Sequence, residues 1–296
     1  MIAKRIRKGT LRLPGALLFT WVLVLPTAAQ AGPYFCLLAS APGVTLAYDP
    51  LSTLPLTASG SVTINCTKSG AGSSTAYYEL GSNAGINLSG AQSRVVSGTD
   101  AINYGLATDS SRATRWTDVS SNRIRGSLNG TTSKSVTLNY YLLFPARQIA
   151  AGGRYTDTQT INLYQGSSAS LARNAHSSDS ITTTLAVSVA AQCTLSSAPG
   201  NLQFNYTSFQ TNPATANTAF AVTCNSGIPY TMALDATSGT LLGLAYSLAL
   251  SKTGTQTGNG TAQSAAINGT MPSGQAGTCS VGNCATSEAR TLTISY

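Results

Sequence analysis

Two copies of one cysteine frame, in the first and second halves of the chain, restrict its fold more than any other feature. Cys36-Leu37-Leu38-Ala39-Ser40-Ala41-Pro42-Gly43 matches Cys193-Thr194-Leu195-Ser196-Ser197-Ala198-Pro199-Gly200. Some thirty residues further on, Ser61-Val62-Thr63-Ile64-Asn65-Cys66 matches Phe220-Ala221-Val222-Thr223-Cys224. An internal duplication accounts for this most simply, with one domain built twice. Six cysteines allow fifteen pairings in principle. The repeat selects Cys36–Cys66 and Cys193–Cys224, each closing a loop worth roughly 3–4 kcal/mol on a chain-entropy view. Cys279 and Cys284 have no counterpart in the first copy and are expected to form a local disulfide. A metal site is the weaker alternative, because no further histidine or cysteine stands near to complete a tetrahedral set.

Between these marks the text is short alternating runs broken by Gly, Asn and Ser, with no helical period of useful length. Ile102-Asn103-Tyr104-Gly105-Leu106-Ala107 parallels Ala245-Tyr246-Ser247-Leu248-Ala249-Leu250, and each copy closes on an alternating strand, Tyr155–Tyr164 and Arg290–Tyr296. The expected class is therefore all-β: two immunoglobulin-like antiparallel β-sandwich domains, the second with an incomplete strand set. The boundaries read as 1–31 for an export signal, 32–164 for the first domain, 165–179 for a Ser-rich linker and 180–296 for the second domain. Ile181, Thr183, Leu185, Val187 and Val189 fall on one face of the strand 180–190 that leads into Cys193. This strand either fills a gap in the domain before it or is simply the first strand of the domain after it.

Lys4, Arg5, Arg7, Lys8 and Arg12 precede a short apolar run, Leu17–Leu25, and Ala29-Gln30-Ala31 has the small residues of a cleavage site. This is the pattern of a secretory signal, too short in its apolar part for a spanning helix. The formal charge is +8, from 17 Lys and Arg against 9 Asp and Glu. Five of the basic residues and none of the acidic ones lie within 1–31, so twelve stand against nine once that segment is removed. Nucleic-acid binding loses its main support. Export also places the cysteines in an oxidising compartment.

Val44-Thr45-Leu46-Ala47-Tyr48-Asp49-Pro50-Leu51-Ser52-Thr53-Leu54-Pro55-Leu56, leading to Cys66, resembles the opening of spore coat protein U domains, as Tyr104–Trp116 and Ala150–Tyr164 resemble later blocks. The second copy resembles the family less closely, lacking the Tyr-Asp-Pro-Leu block and a second tryptophan. The resemblance implies pilins of archaic chaperone–usher pili, and for two-domain members the adhesin at the pilus tip, active in surface attachment and biofilm formation. It implies sandwiches that lack a strand, filled first by a periplasmic pilus chaperone at the outer-membrane usher and then by an adjacent pilin subunit. Residues 181–189 then read as a donor strand acting in cis, and Leu292, Ile294 and Tyr296 as the chaperone-docking strand. Cleavage after Ala31 leaves Gly32–Phe35 ahead of Cys36, too few for a strand to offer to a neighbour, which suits a fibre tip.

Counting strands back from the linker puts the loops Pro145–Gly153 and Asp109–Asn122 at the far pole of the first domain. Trp116, Phe144 and Ile149 are thus the candidate contacts to a biotic or abiotic surface, with plain core positions as the alternative for Trp116 and Phe144. A carbohydrate-binding tip using Asp49, Asp109 or Asp118 is a competing reading, and a shaft or minor pilin or a surface-coat structural protein without adhesive role is another. No catalytic residues, cofactor or metal are expected. The single histidine, His176, lies in the Ser-rich linker, the carboxylates are scattered, and the Gly70–Ser74 run reads as a hairpin loop rather than a phosphate cradle.

Overall fold

A computed structural model describes residues 34–69, 74–130 and 132–296. The segment read as an export signal lies outside the described residues, as do 70–73 of the expected hairpin loop. The chain is all-β, as its alternation predicts, and builds two sandwiches with separate cores.

The first contains β1 (Tyr34–Ser40), β2 (Val44–Ala47), β3 (Leu56–Lys68), β4 (Ser74–Ser82) and β5 (Ser93–Ser97), followed by β6 (Asp100–Ala107), β7 (Ile124–Gly130), β8 (Lys134–Phe144), β9 (Gly153–Gly166) and β10 (Asp179–Val189). One face runs β1-β3-β8-β6 and the other β6-β5-β9-β10-β2, with β4 bridging β7 and β9. β6 joins the faces, because its first half pairs with β5 and its last three residues with β8. The second sandwich contains β11 (Cys193–Ser197), β12 (Ala214–Cys224), β13 (Pro229–Leu234), β14 (Ser238–Leu241), β15 (Leu244–Leu250), β16 (Gln256–Thr257), β17 (Ala262–Met271) and β18 (Leu292–Ser295). Its faces run β11-β12-β17-β15-β14 and β16-β13-β18. The duplication is visible in the ladders: Cys36 stands opposite Cys66 and Cys193 opposite Cys224, and both pairs are disulfide-bonded, as is Cys279–Cys284.

β10 lies inside the first sandwich. It pairs antiparallel with β9 along its whole length, from Asp179↔Leu163 to Val189↔Gly153, and parallel with β2 from Leu185↔Val44 to Ser188↔Ala47. Its period-2 face does what the alternation predicts: Thr183, Leu185, Val187 and Val189 are buried, Ile181 packs against the same core from a half-buried position, and Thr182 and Thr184 are exposed. Burying these side chains contributes on the order of 10 kcal/mol before ordering costs.

Of the Ser-rich segment 165–179, the ends belong to β9 and β10 and residues 167–178 form a packed crossover between them. It holds a short helix, α1 (Ala169–Asn174), whose first turn is capped by the Ser168 hydroxyl accepting from Leu171 N. Ala172 of α1 is buried, and the Gln165 amide bonds both backbone groups of Cys36, at 2.8 and 3.1 Å. Serine supplied caps and turn bonds here, so composition alone resembled a solvated spacer.

The core is rich in tyrosine, and room for the rings comes from glycine. A Cβ on Gly60 would sit 2.1 Å from the Tyr140 ring, and Tyr140 packs against Trp116 with centroids 5.0 Å apart. The one buried glutamate, Glu79, is matched by Arg125 at 2.9 Å and Arg123 at 3.5 Å, the latter lying 3.4 Å over the Tyr164 ring. Replacing both arginines would leave the Glu79 carboxylate buried without its closest partners.

Leu185→Ala is expected to cost the first sandwich about 2–5 kcal/mol in denaturant unfolding. Thr184→Ala, one residue away on the exposed face, is expected to change it by less than about 0.5 kcal/mol.

Candidate functional site

The two sandwiches differ at one strand. In the first, β9 is hydrogen-bonded on both edges, to β10 on one side and to β4 and β5 on the other. In the second, the equivalent closing strand β18 pairs with β13 alone among the described residues, Met232 opposite Ile294 and Leu234 opposite Leu292. The matching pair in the first sandwich is Leu80 opposite Leu163, and both of these are fully buried. Leu292, Ile294 and Leu234 are only half-buried.

The gap has a second border. In the first sandwich β2 lies against the far side of β10. Its counterpart after the repeated Ala-Pro-Gly is 201–206, where Leu202, Phe204 and Tyr206 alternate with exposed Asn201, Gln203 and Asn205. These three side chains pack against the second core and remain half-buried, yet the segment joins no ladder. It has the pattern of a strand and lacks only a partner. The strand that separates β9 from β2 thus has no counterpart between β18 and 201–206 among the described residues. What remains is an apolar strip with an unpaired strand edge beside it, an arrangement suited to accepting one extended segment whose alternate side chains are apolar.

Of the residues expected at the docking strand, Leu292 and Ile294 pack against the second core beside this strip, and Tyr296, one residue past β18, is 62% exposed. The expected surface contacts need correction. Trp116 and Phe144 are completely buried: the Trp116 indole N–H donates to Leu80 O at 2.8 Å, and Phe144 stacks on Tyr104 with centroids 5.5 Å apart. Large aromatics near a loop were held by the core, which leaves Ile149 as the one exposed member, at 59%.

Its loop also lies elsewhere than expected. Because β10 runs antiparallel to β9, it returns the chain to the start of β9, so the second sandwich meets the loop 145–153. Ser226 N donates to Ala150 O at 3.2 Å, Ala151 bridges Ser226, and a Cβ on Gly260 would lie 3.0 Å from the Ile149 side chain. Asn225 ties the two halves together by donating its side-chain amide to Ala190 O at 2.7 Å and its backbone N–H to Gln192 O at 3.1 Å. The loop expected at the far pole is therefore at the junction. The free end of the first sandwich is the opposite one, which carries α1.

The three aspartates considered as sugar contacts are not brought together. Asp49 caps Leu51 N and accepts from the Gln192 amide, Asp109 binds its own loop, and Asp118 accepts from Tyr164 and Asn162 beside Arg123. Among the described residues no cluster of three metal-ligating side chains occurs, and no helix is long and apolar enough to cross a membrane.

The Spore Coat Protein U domain family matches residues 23–162 and again 179–284. No curated protein matches the chain. Among solved structures, a chaperone–tip adhesion subunit pre-assembly complex (CsuC–CsuE) from archaic chaperone–usher Csu pili of Acinetobacter baumannii is similar at 11% identity and a TM-score of 0.40, covering 88% of this chain and 99% of that one. The CupB6 tip adhesin from Pseudomonas aeruginosa is similar at 10% identity and a TM-score of 0.38, covering 89% of this chain and 94% of that one.

An unpaired edge has a direct readout. Amides of β18 that point away from β13 are expected to exchange hydrogen at rates near those of an open chain, whereas β9 amides on both edges should be protected; amide exchange followed by NMR measures both.

Proposed function

The chain belongs to the Spore Coat Protein U domain family, and on that premise we propose that it is an exported, non-catalytic subunit of a chaperone–usher pilus, seated at the fibre tip and serving attachment. The observation that carries this reading is the contrast between β9, covered on both edges within the chain, and β18, bordered by an empty apolar strip.

A sandwich in that state needs a strand from elsewhere. A periplasmic chaperone supplies one during export, holding the edge of β18 until the outer-membrane usher exchanges it for the leading strand of an adjacent pilin. Backbone bonds satisfy the edge, and alternate apolar side chains fill the strip between β18 and 201–206. Ile181, Thr183, Leu185, Val187 and Val189 perform the same service within the chain. A strand placed just before the cysteine of a repeat is thus spent on the first sandwich and is not available to a neighbour. Covalent attachment gives it a high effective concentration, so the first sandwich needs no exchange.

A subunit whose second sandwich receives a strand while its own inner strand is committed to the first suits the end of a fibre, which favours the tip over the shaft. Attachment then falls to the first sandwich at the end away from the junction, with Ile149 and its loop removed from that role.

Ile294→Asp, which puts a charge into the strip, is expected to leave the first sandwich folded and to abolish both the chaperone complex and incorporation into fibres. Immunogold against the first sandwich should label one end of each fibre. Label along the whole length would sink the tip assignment, and an unaffected chaperone complex would sink the docking edge.

A further inference from the structure

A cavity of about 500 Å³ opens on the first sandwich, away from the strand edge discussed above. Its walls are β6, the loop 89–93 and the loop that carries Arg112 and Arg115, with Leu143 beside them. This is the size range of a small-molecule site.

The charge lining it is of one sign. The arginines near α1 and β7 are matched, Arg123, Arg125 and Arg173 all lying within 4 Å of Glu79 or Asp118. Arg112 and Arg115 have no carboxylate partner among the described residues. Their guanidinium groups are held by backbone carbonyls instead: Arg112 Nε donates to Leu142 O at 3.0 Å and Nη1 to Ser110 O at 2.9 Å, and Arg115 Nη2 donates to Ala91 O. Carbonyls orient a guanidinium without neutralising it, and donors on each group remain unused. No acidic residue lines the cavity.

The loop that presents them is fixed at some strain. Arg112 has φ +61°, a left-handed backbone that a bulky residue rarely adopts. Asp109 stabilises that conformation, accepting from Ser111 Oγ and from the N–H groups of Ala113, at 3.2 Å, and Thr114, at 2.8 Å. These bonds, the Ser111 hydroxyl foremost, hold its carboxyl well below the usual carboxylate range, so the loop keeps its shape in mildly acidic surroundings. On the opposite wall the Gln92 amide donates to Tyr104 O at 2.6 Å. Both sides of the cavity are preorganised, and its positive charge comes from the one loop that carries Arg112 and Arg115.

We propose that this cleft binds a small polar molecule bearing an anionic group, with a sugar acid as the fitting class: Arg112 and Arg115 take the carboxylate, Ser89 and Gln92 face the hydroxyls, and Ala107 and Leu143 meet the ring. The site requires neither a tip position nor an assembled fibre, so it stands or falls apart from the pilus reading.

The test is titration of the full-length exported chain with glucuronate, glucose and inorganic sulfate, followed by NMR of the arginine side chains and by calorimetry. Glucuronate is expected to bind and to shift Arg112 and Arg115, while glucose is not. Arg115→Gln, at an exposed position, should weaken glucuronate binding about 10- to 100-fold, the size of a hydrogen bond to a charged group. Ala113→Glu, which sets a carboxylate at the mouth, should abolish it, with an unchanged Tm marking an intact fold in both variants. Competition by sulfate would identify the anion itself as the recognised part, and its absence would assign the ring a share. Glucose binding as well as glucuronate, no binding of glucuronate, or unchanged affinity in Arg115→Gln overturns the proposal.

Discussion

The ladder between β9 and β10, unbroken from Asp179↔Leu163 to Val189↔Gly153, is the interaction on which the rest of this molecule depends. A sheet strand left with a bare edge exposes a row of unpaired N–H and C=O groups and the apolar face behind them. In the first sandwich β10 removes that problem from both sides, pairing with β9 and β2 while its inward side chains enter the core. Its direction has a second effect. By returning the chain to the start of β9, it delivers residues 190–192 to Asn225 and sets the second sandwich against the loop 145–153.

The second sandwich repeats the frame without that strand, and its core registers the difference. Val222 and Cys224 are sealed, as are their counterparts in the first half, but the side chains bordering the gap, Leu202, Phe204, Leu292 and Ile294, stay half-open. The segment 201–206 keeps strand alternation yet pairs with nothing, because a ladder needs two participants. One sequence repeat thus yields a closed domain and an open one.

Much of this was legible beforehand, and the failures have physical causes. The cysteine frame gave the duplication and the disulfides, since opposed cysteines on neighbouring strands leave little choice of partner. The alternation at 181–189 marked a strand with one apolar face but not which core that face would enter. Trp116 and Phe144 were open between surface anchor and core because position in a loop or at a strand end says nothing about depth, and the core holds both. Trp116 is in fact tied down by Leu80, thirty-six positions away in sequence. The linker looked solvated because serine serves equally in a spacer and in the caps and turns of a packed crossover. The cationic cleft left no sequence signal at all, since Arg112 and Arg115 converge with Ala91 and Gln92 only through the pairing of β5 with β6.

By itself, then, the sequence determined the local matters: strand period, the repeat, the cysteine pairs and the apolar face of each strand, all of which depend on neighbours a few positions apart or on covalent chemistry. The tertiary structure alone decided which core received β10, which end of the first sandwich met the second, and where arginines gathered without carboxylates. Those outcomes turn on strand direction and on contacts between distant segments, where the same period-2 face fits either of two sheets and only packing selects one.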